Sequence, residues 1–324
     1  MEQLASQLAD SRLASGAEPD EPLHAPRLAQ YKNAGRASVS QQCRRSQLLQ
    51  RQKRERDGRL DRLRAITADD DEGALDAAAL PPTFSYRKQG FYQSQYSNQL
   101  MFSEWMETVP ADLHTDWLLK MCPPGKRCLV VAKRRCTRSY SAAGALLRTF
   151  PSRLPAGWRG PLGQRPTVLD CIWDQAAGTF HVIDLLAWNG HQVFECEAEF
   201  RFTWLQTKLS ETPEVGVASR SNPYRFVAIS HTACGPAELA ATAAAATADG
   251  ALFFHRAAHY WPGVSPLVLW LKPFMLPETL GVPRTAAELG APPDYAGRQR
   301  YIDRWQASRH RKPEGRTRQD QMES

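Results

Sequence analysis

The sequence predicts a mixed α+β protein whose sheets are rich in antiparallel strands, preceded by a basic helix. Three observations carry that prediction. From about Phe84 onward the chain runs in short apolar stretches punctuated by Pro, Gly and Asn, the texture of strands joined by tight connections. Upstream of them, Gln41 to Ile66 is a proline-free run dominated by Arg, Lys, Gln and Leu. Pro236 to Ala248 is alanine-rich and has strong helical propensity. At 324 residues and 42% hydrophobic content, the chain has apolar material for one sizeable core plus an appendage.

Taken in order, residues 1–22 hold Met1, Leu4, Leu8 and Leu13 in a polar, acidic setting. The first three fall on one face of a short helix, which buries no core alone and suits a groove on a partner. Ser38-Val39-Ser40-Gln41 offers a capping box for the helix that follows. Its apolar residues Leu48, Leu49, Leu60, Leu63 and Ile66 are too few for a self-sufficient core, so the helix needs a partner. Gly58 weakens its middle by ~1 kcal/mol. The acidic run Ala68 to Leu80, ending at Pro81-Pro82, reads as a linker. Asn98 to Val109 reads as a helix. Strands are expected at Trp117 to Met121, Cys128 to Ala132, Val168 to Trp173, Phe180 to Trp188, Glu199 to Leu205, Phe226 to Ile229, Ala251 to His255 and Leu267 to Leu271. The polar, basic end reads as a disordered tail. The expected division is 1–22, 23–68, 69–83, 84–290 and 291–324.

The net charge of +7 is unevenly placed. His24 to Ala68 carries twelve Lys/Arg against three Asp/Glu, between an acidic start and the acidic run 69–77. Such a block suits polyanions or an acidic protein surface. Seven cysteines, an odd number with no Cys-x-x-Cys pair, make neither a disulfide framework nor a zinc cluster, which points to the cytosol or nucleus. No apolar run of about 18 residues occurs, and Met1 to Asp10 lacks the features of a secretory signal, so no membrane is expected. His255 and His259 lack the intervening Glu of a zinc protease, and neither a Gly-x-Ser-x-Gly elbow nor a Walker loop is present. No catalytic residue, metal ligand or cofactor is expected.

Two segments resemble damaged signatures of the covalent nucleotidyltransferases, the superfamily of RNA capping enzymes and nucleic-acid ligases. Cys122-Pro123-Pro124-Gly125-Lys126-Arg127 keeps the Gly and Arg of Lys-x-Asp-Gly-x-Arg, with Cys122 where the reactive lysine belongs. Leu269-Trp270-Leu271-Lys272-Pro273 resembles Leu-Lys-x-Lys-Pro, with Trp270 in the first lysine position. A phosphate-holding charge is thus replaced by an aromatic plane that can stack a base. Most tryptophans are simply core residues, Trp105 among them on position alone. Yet a guanine methylated at N7 is cationic, and an indole face attracts it by stacking and cation–π forces worth ~1–3 kcal/mol per base. Two methyls on N2 call for an apolar wall, which Trp105 can supply with Ser103 beside it. Lys126 and Arg127 follow a glycine turn suited to a triphosphate, and Lys133, Arg134, Arg135 and Arg138 lie further along.

The chain resembles the snurportin family of import adaptors. The resemblance runs to about residue 300 and rests on Pro26-Arg27-Leu28-Ala29-Gln30-Tyr31-Lys32, Asn98-Gln99-Leu100, Ser103-Glu104-Trp105, Pro124-Gly125-Lys126-Arg127, Leu169-Asp170-Cys171-Ile172, Trp188-Asn189-Gly190-His191, Asp249 to His255 and Pro266 to Trp270. It implies a cap-binding domain with the mRNA guanylyltransferase fold, holding the trimethylguanosine cap of spliceosomal snRNA and snRNP particles through Ser103, Trp105, Cys122, Lys126, Arg127, Cys128 and Trp270. It implies an importin β-binding helix with Arg27, Lys32, Arg44, Arg45, Arg51, Lys53, Arg54 and Arg59 as ion-pair partners. It also implies an exportin-binding segment, acting with Ran-GTP, at Met1, Leu4, Leu8 and Leu13, and hence shuttling between nucleus and cytoplasm. Arg12 departs from the apolar residue expected there, and Ala142 stands where the family has a cap-contacting lysine. The competing readings are a guanylyltransferase-like enzyme and a nucleic-acid binder acting through its basic helix.

Overall fold

The computed structural model describes residues 41–56, 96–158, 164–245 and 248–310, all within the unit Gln41–Ser324. Met1, Leu4, Leu8, Leu13, Arg27, Lys32, Arg59 and the acidic linker lie outside the described residues. The described chain is a mixed α+β fold with two mainly antiparallel sheets.

The first sheet contains β1 (Met101–Trp105), β2 (Trp117–Cys122), β10 (Thr232–Ala233), β11 (Gly250–His255) and β12 (Gly263–Leu271), in the spatial order β1-β12-β11-β2-β10. Among the described residues its single parallel pair is β1 with β12. The second contains β3 (Lys126–Lys133), β4 (Cys136–Tyr140), β5 (Leu146–Phe150), β6 (Thr167–Asp174), β7 (Thr179–Trp188) and β8 (His191–Gln192), in the order β5-β4-β3-β6-β7-β8. Strand β9 (Arg225–Ala228) adds to β7 in parallel. The helices are α1 (residues 41–56), α2 (Leu113–Asp116), α3 (Ala198–Glu211), α4 (Pro236–Ala245), α5 (Leu276–Leu280) and α6 (Arg298–His310).

Because side chains alternate along a strand, each sheet feeds two cores. Leu118 and Cys122 of β2 join Leu252, Phe254 and Val268 of the same sheet, and Ile172 and Ile183 of the other, in a core that ties the sheets together. Trp117 and Leu119, on the opposite face of β2, pack with Leu113, Phe253, Leu269 and Leu276. Behind the second sheet, Cys128, Val130, Leu169, Cys171, Phe180 and Val182 pack with Leu205 of α3. Two buried cations brace these layers. Arg201 of α3 donates from Nε and Nη2 to Asp184 of β7 at 2.9 and 2.8 Å, both side chains being fully buried. Lys120 of β2 donates to the carbonyl of Ile183 in the other sheet at 2.5 Å, with its ammonium 3.4 Å from the Phe202 ring centroid. Burial lowers the Lys120 pKa to about 7.

Three expectations are corrected. Asn98 to Val109 does not form a helix; it carries β1, because Asn98 takes a left-handed φ of 57° and the residues after it pair with β12. Glu199 to Leu205 is helical in α3. Its buried residues Ala198, Arg201, Phe202 and Leu205 have helical spacing, while Phe200 is 53% exposed. Within the tail expected to be disordered, α6 forms, with Ile302 buried and Tyr301 packed against the outer core.

The partner that α1 needs is the rest of its own chain. Leu48 enters the inter-sheet core, and Arg45 donates to the carbonyl of Pro266 at 3.2 Å. Gln41 donates to Glu104 and to the Trp105 carbonyl at 2.8 and 3.1 Å, and Arg44 pairs with Glu104 at 2.7 Å.

Candidate functional site

The Cys-Pro-Pro-Gly-Lys-Arg segment is the crossover between the sheets: β2 ends at Cys122 in the first and β3 begins at Lys126 in the second. Two prolines stiffen it by fixing φ. Gly125 is required by close approach, since a Cβ there would lie 2.6 Å from the Trp173 carbonyl oxygen and 2.6 Å from Ile172 Cγ2. Cys122 is 1% exposed and pairs with Gly250 across the β2–β11 ladder. Burial pushes its thiol up to about 12, against the opposing pull of Arg127 and Lys120. A thiol held neutral at physiological pH is a poor nucleophile.

Arg127 is clamped. Its Nε and Nη2 donate to Asp170 at 3.0 and 2.6 Å, and Nη2 donates also to the Met101 carbonyl at 2.6 Å. Tyr260 completes the network, donating its hydroxyl to Asp170 at 2.7 Å and accepting from the Met101 N–H at 3.1 Å. Burial alone lowers the Arg127 pKa, but the charge and hydrogen bonds of Asp170 outweigh it and raise the pKa above the ordinary value. Nη1 has no protein acceptor among the described residues, so one edge of the guanidinium is available to an anion.

Trp270 lies over Gly250. A Cβ at Gly250 would sit 2.0, 2.2 and 2.6 Å from three atoms of its indole, so the absent side chain is what makes room for the ring. Lys272 pairs with Asp249 at 2.6 Å, its ammonium 5.7 Å from the Trp270 centroid. Trp105 pairs with Trp270 in the parallel β1–β12 register, and Ser103 pairs with Ser265 just before a bulge. The Trp105 ring is met edge-on by Trp305 at 5.3 Å and Tyr301 at 6.4 Å, both from α6.

Trp105 packs against the outer core with α6, whereas Trp270 packs against the core between the sheets. The fold brings Cys122, Arg127 and Trp270 toward the crossover, since Cys122 pairs with the Gly250 that Trp270 covers and Arg127 reaches Met101 of β1, with Lys126 exposed at the start of β3. It does not bring Cys128 there. Successive strand residues point to opposite faces, and Cys128 is sealed in the core behind the second sheet. Ala142 sits partly buried against the cluster of Leu129, Val131 and Tyr140, its methyl in apolar company. Asp170, Tyr260 and Gly250 were not singled out as site residues, although Asp170 and Gly250 fall inside the quoted motif runs. Of the importin-directed cations, Arg44 and Arg45 are engaged with the domain as above. Arg51 pairs with Glu55 at 2.9 Å and stacks on Trp261 at 4.7 Å, while Lys53 and Arg54 are exposed. Elsewhere Asp112, Asp116 and His255 place ligand atoms within 4.8 Å of one another, but Asp112 already accepts from the Trp117 indole.

Two family models match the chain: the Snurportin1 m3G cap-binding domain over residues 99–273, and Snurportin1 over residues 24–65. Among solved structures, the ligase domain of LigD from M. tuberculosis is similar at 15% identity and a TM-score of 0.37, over 53% of this chain and 58% of that one. A mycobacterial DNA ligase D complexed with ATP and MES gives 16% and 0.37, over 53% and 60%. The Chlorella virus DNA ligase-adenylate gives 12% and 0.38, over 54% and 69%. The chain thus spans less than two thirds of the LigD and mycobacterial ligase D structures.

Proposed function

The chain belongs to the snurportin family, and on that premise we propose that it is a non-enzymatic nuclear import adaptor that holds the 5′ trimethylguanosine cap of spliceosomal small nuclear ribonucleoproteins and links them to importin β. The observation that carries the reading is the Trp270 indole laid over Gly250 beside a buried Cys122, an aromatic plane and a neutral thiol where a covalent enzyme would keep two lysines.

The cap's N7-methylated base carries a positive charge, and the Trp270 face attracts it by stacking and cation–π forces. Trp105, steadied by α6, gives the dimethylated N2 edge an apolar wall, and Ser103 offers a hydroxyl to the base edge or sugar. The free edge of Arg127 and the ammonium of Lys126 take the triphosphate bridge. Absence of a lysine at position 122 removes the covalent step, and burial of the thiol keeps it from substituting.

The second half of the function lies on the basic segment. Arg27, Lys32, Arg44, Arg45, Arg51, Lys53, Arg54 and Arg59 pair with the acidic inner surface of importin β. Arg44 and Arg45 exchange their intramolecular partners for acidic ones when α1 is handed over. Met1, Leu4, Leu8 and Leu13 return the emptied adaptor by binding an exportin with Ran-GTP, so the protein shuttles between nucleus and cytoplasm.

Binding of a fluorescent trimethylguanosine cap dinucleotide, read by anisotropy, tests the cap site; loss on Trp270→Ala supports it and unchanged affinity refutes it. Incubation with labelled GTP and magnesium followed by a denaturing gel tests the enzymatic alternative. A labelled protein band would overturn the non-enzymatic reading. Capture of the full chain on immobilised importin β tests the adaptor role.

A further inference from the structure

A cavity of about 300 Å³ opens on the second sheet, further along β3 than the crossover, and includes none of the residues assigned to the cap. Its floor is apolar, from Leu129, Val131, Val168 and Leu186. Phe194, Tyr96 and Tyr260 give it aromatic walls. Gln99 and Gln192 are its amide groups, each offering a donor and an acceptor. The rim is cationic. Lys133 and Arg165 line it, and Arg134 and Arg135, exposed with φ of 54° and 63°, form the adjoining β3–β4 turn. Among the described residues these four cations make no ion pair, which leaves a cluster of uncompensated positive charge at the mouth.

Continuity with the cap site comes through one wall. Tyr260 lines the cavity and donates to Asp170, which holds Arg127. From Lys126 at the crossover to Lys133 at the rim, the eight residues of β3 run about 23 Å. A single strand leaving the triphosphate at Lys126 and Arg127 and following β3 meets first this cavity and then the basic rim.

We propose that the cavity is a second nucleotide subsite, which takes one base of the RNA that follows the cap while Lys133, Arg165 and the Arg134-Arg135 turn hold the flanking phosphates. The chemistry matches at each point. The volume lies at the lower end of small-ligand sites, roughly 300–1,000 Å³, and suits one nucleoside rather than a folded segment. Aromatic walls accept a base by stacking, with little dependence on sequence. Side-chain amides can meet the polar edge of an unpaired base, and unpaired cations gain most from a polyanion. The inference rests on the cap reading, since it is the cap that delivers the strand to β3.

The test compares two probes on the full chain: the trimethylguanosine cap dinucleotide, and the same cap carrying about four further ribonucleotides, near the smallest single-strand footprint. The extended probe is expected to bind about tenfold more tightly. Its dependence of log affinity on log salt should be steeper by roughly 1.4, for two phosphates at about 0.7 each. Lys133→Glu/Arg165→Glu should remove that gain while leaving dinucleotide affinity unchanged, and Val168→Phe, which fills the floor, should remove most of it at constant charge. Equal affinity for the two probes overturns the subsite alone. Failure of the dinucleotide to bind overturns the cap reading and the subsite with it. Loss of the gain in the charge variant but full retention in Val168→Phe overturns base insertion.

Discussion

Gly250→Ala is the sharpest test of how the proposed cap platform is built. A methyl at that position would fall 2.0 Å from Trp270 Cζ2 and 2.2 Å from Cη2, far inside the 3.4–4 Å of ordinary contact. Backbone surrounds Gly250 on both sides, paired with Cys122 on β2, so the indole is the part that gives way. Trp270 must lift off β11 by more than an ångström and lose the orientation in which we propose that it stacks the base. The strand itself is not harmed, because alanine is favoured over glycine in a strand interior by roughly 0.5–1 kcal/mol. Loss of one aromatic stack costs ~1–3 kcal/mol, or about 5- to 150-fold in cap affinity. Anisotropy titration of a labelled trimethylguanosine dinucleotide measures this directly, with thermal melting as a check that the fold is intact. The decisive arm is the double variant. On a Trp270→Ala background, Gly250→Ala should add almost nothing, since the group it displaces is gone. Wild-type affinity in Gly250→Ala alone would refute the reasoning, and so would an additive loss in the double variant.

Asp170→Ala should destabilise the protein by ~3–5 kcal/mol, read by urea denaturation, because it strands Arg127 and the Tyr260 hydroxyl without their shared acceptor. Stability should rise with pH between about 7 and 8.5. Burial depresses the folded pKa of Lys120, so the unfolded chain binds more protons through that window, with a maximal slope of ~1.4 kcal/mol per pH unit. Lys120→Met should flatten the slope. Above about 9 stability falls in both proteins, because burial raises the thiols of Cys122, Cys128 and Cys234 to about 12 and only their unfolded forms ionise. Glu104→Ala, which removes the acceptor of Gln41 and Arg44, should loosen α1 by ~1 kcal/mol and tighten capture by importin β about fivefold in a surface-binding assay. An unchanged affinity would separate α1 docking from receptor binding.

The sequence is most legible where burial is continuous. Strands β2, β3, β6, β7, β11 and β12 were foreseen within a few residues, because their apolar runs need no partner to be recognised. Strand β1 was not, since Leu100, Met101 and Trp105 satisfy helical spacing as well as extension, and only pairing with β12 decides between them. For α3 the alternation of Phe200, Phe202 and Trp204 imitated a strand, although the exposed Phe200 is the one that breaks it. At the site, Cys122, Gly125 and Trp270 stood out as substitutions or survivors in known signatures. The partners that fix them did not. Asp170 and Tyr260 lie 90 residues apart in sequence and meet only when the sheets close. Cys128 faces the core behind the second sheet, because neighbours along a strand point to opposite faces.

That difference bears on the two segments that resemble nucleotidyltransferase signatures. Gly125 and Arg127 have structural duties that do not depend on any ligand: Gly125 lets the crossover pass against Trp173, and Arg127 joins β1, β6 and Tyr260 through Asp170. Replacing either damages the junction of the sheets before it touches chemistry. Positions 122 and 270 carry less of that burden. A cysteine at 122 fills its buried place with a neutral group, and a tryptophan at 270 needs only the missing side chain of Gly250. The fold therefore accommodates a cysteine and a tryptophan where the signatures it resembles carry lysines. In the proposed cap reading, the ring at 270 favours a cationic methylated base where an ammonium would favour a phosphate. The retained Lys272 is consistent with this, because its ammonium is spent on Asp249 rather than projected toward a phosphate.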